Sequence, residues 1–180
     1  LFQNARRQAY ASNNTPTREL SDVSGTSMQY SRDIGFGTIK AIWSKRKTDW
    51  YDRLDLDGGP FNIADTSRDT DYDAETFELQ LVGSTENMDY VLGYYALEDD
   101  AYTANPQSFF LGGSVFQQNY SGSGESEAIF GQLTYRLSEA WDVTLGIRST
   151  EEDKKGFKEY VGVISANGEG SFDDTTGTFI

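Results

Sequence analysis

Ile129-Phe130-Gly131-Gln132-Leu133-Thr134-Tyr135-Arg136-Leu137, then Ser138-Glu139-Ala140, then Trp141-Asp142-Val143-Thr144-Leu145-Gly146-Ile147: this stretch decides the fold class. Ile129, Leu133, Tyr135 and Leu137 share one parity with Gly131, and Phe130, Gln132, Thr134 and Arg136 share the other. Trp141, Val143, Leu145 and Ile147 likewise oppose Asp142, Thr144, Gly146 and Arg148. A period of two places successive side chains on opposite faces of a strand, so each segment has one apolar and one polar face. A three-residue connection makes the pair a hairpin. Nine residues at about 3.3 Å each reach about 30 Å. Tilted by about 40°, such a strand spans the roughly 25 Å apolar band of a transmembrane barrel.

Working outward, four more strands are expected: Gly25–Arg32, Phe36–Lys45 with Ile39, Ala41 and Trp43 on one face, Glu75–Val82 with Phe77, Leu79 and Leu81 on one face, and Tyr90–Leu97. The parity of the last is ambiguous, because Leu92 and Tyr94 compete with Val91, Tyr95 and Leu97. A short strand is also expected at Tyr160–Ile164. Asp49–Asp73 and Glu98–Glu125 carry no apolar period and read as long exposed loops. Connections near 33–35, 83–88 and 138–140 are short, so short and long alternate along the chain. Up-and-down transmembrane barrels alternate in this way. The expected fold is therefore all-β: an antiparallel up-and-down transmembrane β-barrel segment with short periplasmic turns and long extracellular loops. Residues 1–180 would be part of such a barrel, about six strands.

Bulk composition narrows the function. Of 180 residues, 37% are hydrophobic and 14% aromatic, with mean hydropathy −0.60. No apolar run approaches the roughly 20 residues of a spanning helix, whereas barrel strands expose only alternate residues to lipid and give a weak hydropathy signal. The net charge of −14 repels phosphate backbones and argues against nucleic-acid binding. With no cysteine and no histidine there is no disulfide, no zinc site on those ligands and no histidine-assisted nucleophile. Glu98, Asp99 and Asp100 are adjacent carboxylates with no nucleophile pattern beside them, so no catalytic residue, metal ligand or cofactor site is assigned.

The ordered segments resemble the barrel of TonB-dependent receptors, the active importers of the Gram-negative outer membrane. Phe77-Glu78-Leu79-Gln80-Leu81 is similar to the family's "QELRL" strand. Asp89-Tyr90-Val91-Leu92-Gly93-Tyr94-Tyr95 is similar to "W-V-x-G-x-Y-Y", with Tyr90 in the Trp place. Phe130-Gly131-Gln132-Leu133-Thr134-Tyr135 and Leu145-Gly146-Ile147-Arg148 match the "FGQLTY…LGLR" hairpin, and Leu54-Asp55-Leu56-Asp57-Gly58 resembles an acidic outer loop. The resemblance covers roughly residues 20–155. It implies a plugged barrel of about 22 strands that takes up a scarce ligand with energy passed through TonB. A ferric siderophore is the usual cargo; cobalamin, haem and glycans are others. On the resemblance, residues 1–180 would be a partial barrel domain of a larger receptor, about six strands, with the plug domain and C-terminal strands absent; membrane lipid and lipopolysaccharide would surround it, and the TonB complex would act through that absent plug.

On that reading Leu133, Tyr135, Leu137, Trp141, Val143, Leu145 and Ile147 face lipid. Tyr51, Tyr102, Phe109, Phe110 and Tyr120 are candidate ligand contacts in the outer loops, since aromatic rings stack on planar or glycan cargo. Asp52, Asp55, Asp57 and Gly58 invite a divalent-cation reading, although the spacing fails the EF-hand pattern. Acidic outer loops would disfavour anionic ferric complexes. Two other readings compete: a secreted or surface β-sandwich that binds glycans, in which Leu133, Val143 and Leu145 pack on a second sheet, and a passive porin.

Overall fold

The computed structural model describes residues 13–109, 114–165, 168–170 and 177–179. Six long strands run up and down: β1 (Arg18–Asp33), β2 (Thr38–Asp55), β3 (Ala64–Ser84), β4 (Met88–Phe109), β5 (Ser114–Ser138) and β6 (Trp141–Ser165). Two short strands, β7 (Gly168–Gly170) and β8 (Gly177–Phe179), both pair with β6. All the pairings are antiparallel and consecutive from β1 to β6, in one sheet. Among the described residues β1 pairs with β2 alone, so the sheet does not close on itself.

Each expected strand is present, but every one is longer than its apolar stretch. Lengths rise from 16 residues in β1 to 25 in β5 and β6. This overturns the expectation of long loops at 49–73 and 98–125. The first contains the end of β2, a connection at 56–63 and the start of β3; the second is mostly the outer halves of β4 and β5. The expected short strand at Tyr160–Ile164 is the end of β6. The physical reason is that these outer halves are polar on both faces. A strand wetted on both sides has no hydrophobic period to betray it. Cross-strand polar pairs hold it instead: Arg53 donates to Asp65 at 2.9 Å, Arg68 to Asp52 at 3.0 Å, and the Thr70 and Thr103 hydroxyls meet at 2.9 Å.

The turns at the other end are tight. Asp33 accepts the Gly35 amide at 2.7 Å, and Gly35 takes φ +90°, the left-handed region that a side chain disfavours. Arg136 reaches across from β5 to the Thr85 and Glu86 carbonyls at 3.1 and 3.2 Å and pairs with Asp89, fastening the 85–87 turn. Two glycines are covered by aromatic rings. A side chain at Gly83 would collide with the Tyr90 ring, and one at Gly93 with Phe130, so each ring fills a neighbour's empty place.

Among the described residues the sheet has no hydrophobic core. Among the described residues no large side chain is fully buried, and the buried apolar side chain is Ala128. Trp141, Leu145 and Ile147 are 71%, 67% and 80% exposed. A domain in water normally buries one face of each sheet against another layer; among the described residues no second layer covers this one.

Candidate functional site: an apolar band and the wall behind it

Register decides which side chains share a face, because directly paired residues in an antiparallel ladder point the same way. Gly83, Tyr90, Leu133 and Leu145 form one row across β3 to β6. Ile39, Leu81, Leu92, Gly131 and Ile147 form the next, and Ala41, Leu79, Tyr94 and Ile129 the one above. The parity of β4 is thereby settled: Tyr90, Leu92 and Tyr94 belong to this face and Val91, Tyr95 and Leu97 to the other. The result is a continuous apolar band over β2 to β6, extended onto β1 by Met28 and Tyr30. Leu133, Tyr135, Val143, Leu145 and Ile147 all lie in it; Leu137 and Trp141 lie at its lower end, where the β5–β6 register shifts.

The upper edge of the band slopes. Trp43, Phe77 and Ala96 share a row; on β5 the last apolar residue is Ile129, one row lower, and on β6 Ile147, one row lower again. Met28 on β1 shares the Trp43 row, so the edge is level from β1 to β4 and falls two rows, about 13 Å, over the two strand spacings from β4 to β6. The edge thus runs obliquely to the strands on β4 to β6, the sense in which strands tilted in a bilayer would meet its margin. Aromatic residues mark both margins. At the top, Trp43 keeps its ring in the band and donates its Nε1–H to Glu75 at 2.6 Å. At the bottom, Trp141 and Tyr135 lie near the last turn, and the Tyr90 hydroxyl donates to the Phe36 carbonyl.

Above the band the same face turns acidic. Lys45, Glu75, Glu98, Glu125 and Asp153 form one row, and Glu127 and Glu151 adjoin it on β5 and β6. Asp49 and Asp71 lie opposite each other still higher, beside Lys47. A hydrogen bond from Lys47 lowers the Asp49 carboxyl from its ordinary range, and the hydrogen bond shared with Asp49 raises that of Asp71. The opposite face has a different composition. At band height it carries Lys40, Glu78, Gln80, Gln132 and Arg148, with Ile42, Val82 and Val91 between them. Arg148 stacks over Tyr95 and Phe130 at 5.9 Å from each ring centre. Carboxylates far outnumber cations on the apolar face, whereas the two roughly balance on the other. The basic run Lys45-Arg46-Lys47 is itself divided, Arg46 facing away from its neighbours.

The candidate ligand contacts divide between the two faces. Tyr51 and Tyr102 project from the acidic side, Phe109 and Tyr120 from the opposite one, and Phe110 lies outside the described residues. All four described residues sit on strands and not in loops. Phe109 meets Phe116 edge to face at 5.7 Å between centres. Lys158 lies over the rings of Tyr120 and Tyr160 at 5.3 and 4.7 Å. Phe116, Tyr160 and Lys158 were not foreseen. Their signal is present in Phe116-Gln117-Gln118-Asn119-Tyr120, where aromatic, amide and aromatic recur at every second position.

The acidic loop 56–63 uses its carboxylates internally. Asp55 accepts the amides of Asp57 and Gly58 at 3.1 and 2.8 Å. Asp57 accepts those of Gly59, Ile63 and Ala64 at 2.8, 3.1 and 2.8 Å, and these bonds, the Ala64 amide foremost, hold its carboxyl below the ordinary range. Asp52 is engaged by Arg68 on the other side of the strand. Among the described residues no group of three or more acidic side chains is arranged to hold a metal ion. No protein-family model and no curated protein matches the chain.

Proposed function

We propose that this chain forms part of the wall of an outer-membrane TonB-dependent receptor, which takes up a scarce ligand and performs no catalysis. The observation that carries the reading is the continuous apolar band on a sheet face left uncovered among the described residues, with aromatic residues at both margins. In water such a band costs about 25 cal/mol for each Å² of apolar surface left wet; against acyl chains that cost disappears. The resemblance adds support from an independent direction. Its four strand words, at Phe77–Leu81, Asp89–Tyr95, Phe130–Tyr135 and Leu145–Arg148, lie at band height on four consecutive strands. On this reading the band meets lipid, the acidic extension above it meets the lipopolysaccharide zone, and the balanced face lines the passage. Six strands make about a quarter of a wall of about 22 strands, and the open edge of β1 would be paired by further strands, since a bilayer tolerates no unpaired edge.

A β-sandwich would bury Leu133, Val143 and Leu145 under a second sheet, and among the described residues nothing covers them. A passive pore shares the wall architecture and differs in energetics. The test is to express the full-length protein in a Gram-negative host. It should fractionate with the outer membrane, shift in gel mobility on boiling, bind the periplasmic domain of TonB, and support ferric-siderophore or glycan uptake that a protonophore abolishes. Recovery in the soluble fraction refutes the membrane reading. Uptake indifferent to the protonophore, without TonB binding, replaces the receptor with a passive pore.

A further inference from the structure

A furrow runs up the apolar face across β4 to β6, and its two ends differ in chemistry. The lower part, about 430 Å³, is walled by Tyr90, Leu92, Leu133, Leu145 and Ile147 and floored by Gly131. Gly83 and Gly93 have aromatic rings over them, whereas a side chain at Gly131 would meet within 4 Å only the tip of Leu92, at 3.0 Å, and the Val91 carbonyl, at 3.7 Å. Tyr90, the wall residue with a polar group, spends its hydroxyl on the Phe36 carbonyl. The upper part, about 140 Å³, is lined by Tyr94, Ile129 and Ser149 and by the carboxylates Glu127 and Glu151. Ile129 lies one row above Gly131 and Glu127 one row above Ile129, so the carboxylates stand about 13 Å above the apolar floor. Glu127 and Glu151 are directly paired and exposed, and among the described residues neither has an ion pair. The Tyr94 hydroxyl bonds to Glu127, and a carboxylate accepts several hydrogen bonds, so capacity remains for another donor.

We propose that this furrow seats one lipid molecule with an ammonium head group, an acyl chain lying over Gly131 and the ammonium held by Glu127, Glu151 and the Tyr94 ring. The occupant is lipid A carrying ethanolamine on its phosphate, which brings both acyl chains and an ammonium to the outer leaflet. The inference rests on the receptor reading, which puts the upper margin of the band in that leaflet. Like charges directly opposite each other on a sheet repel, and a cation between them relieves the repulsion. An ammonium donates charge-assisted hydrogen bonds to both carboxylates and is attracted to an aromatic face. A bare phosphate head would be repelled. A metal ion requires a tighter set of ligands, and among the described residues no three acidic side chains are arranged to hold one. A second membrane protein would gain no hydrophobic driving force in the groove, because acyl chains are equally apolar, and its apolar side chains would leave both carboxylates unmatched.

The full-length protein in detergent micelles is titrated, with native mass spectrometry as the readout, with lipid A, with phosphoethanolamine-substituted lipid A and with phosphatidylethanolamine, each with and without EDTA. Substituted lipid A should bind about tenfold more tightly than either of the others, and EDTA should not change this. Glu127→Gln combined with Glu151→Gln should abolish the preference. Gly131→Leu, which fills the groove, should weaken both forms of lipid A about tenfold and keep their ratio. Equal binding of the two forms of lipid A, binding of phosphatidylethanolamine as tight as that of substituted lipid A, a preference that EDTA removes, or a preference that survives the double glutamine change overturns the proposal. Gel mobility before and after boiling, in phosphatidylcholine vesicles, is read on every variant; if Gly131→Leu does not fold, the glutamine pair decides alone. A wild type that inserts into vesicles but shows no preference defeats the lipid seat alone, and one that never inserts defeats the receptor reading.

Discussion

Replacing Leu145 with arginine is expected to destabilise the protein in a bilayer by about 2–4 kcal/mol, the cost of an arginine on the lipid face near the midplane of a transmembrane barrel. On β6 the band runs from Trp141 to Ile147, so Leu145 lies one residue, about 3 Å, from its centre. Little of the full cost is therefore lost to depth. At tenfold for every 1.4 kcal/mol, the folding equilibrium falls roughly 30- to 700-fold. Two controls isolate the cause. Thr144→Arg puts the same charge on the neighbouring residue of the opposite face, and Glu151→Arg puts it on the same face above the band; both should stay within about 1 kcal/mol. The assay is urea-dependent refolding into phosphatidylcholine vesicles, scored by the gel-mobility shift on boiling. In water the prediction reverses, because Leu145 is 67% exposed and arginine there would cost nothing. If Leu145→Arg leaves the equilibrium unchanged, or if Thr144→Arg is the costlier change, the assignment of the two faces is wrong.

Lipids brominated on their acyl chains should quench Trp43 and Trp141, at the two margins of the band, and leave Trp50 bright on the opposite face; preferential quenching of Trp50 would contradict the band. Asp57→Ala removes the acceptor for three backbone amides, so amide hydrogen exchange should speed up at Gly59, Ile63 and Ala64 and stay unchanged at Leu79. Because the folded Asp57 carboxyl is depressed, its contribution is fully present above the ordinary carboxylate value of about 4 and is lost only as pH falls through the lower folded value. Protection that already declines between about pH 7 and pH 5 would exclude this account. Arg68→Ala strands the Asp52 carboxylate, which is 4% exposed, and should lower stability by about 1–3 kcal/mol, with Asp52→Asn partly restoring it in the double variant. A thermal scan with no change in midpoint would show that water satisfies Asp52 instead.

The band and the outer halves of the strands differ in how much of them the sequence reveals, and the reason is the surroundings of each face. Where one face is apolar and the other polar, alternation is forced, so Ile129–Ile147 reads as a hairpin and Phe77, Leu79 and Leu81 as one face before any coordinates are known. The turns at 34–37, 85–87 and 139–140 are legible for the same reason, since they interrupt that alternation. Asp65 to Asp73 and Gln117 to Gly124 are strands wetted on both sides, and their composition resembles loop; only cross-strand pairing with Arg53, Lys47 and the Glu98–Gln107 segment holds them extended. The candidate contacts show the same limit. Tyr102 and Tyr120 read alike in the sequence yet project from opposite faces.

By itself the amino-acid order determined an all-β chain, the positions of its apolar faces, its tight turns, and the lack of any cysteine or histidine chemistry. Tertiary structure alone decided that these faces join into one band, uncovered among the described residues, and that the acidic excess stands above that band and not on the wall behind it. Parity is a local property of one strand, whereas a shared face depends on register, and register is set by pairings between residues up to tens of positions apart.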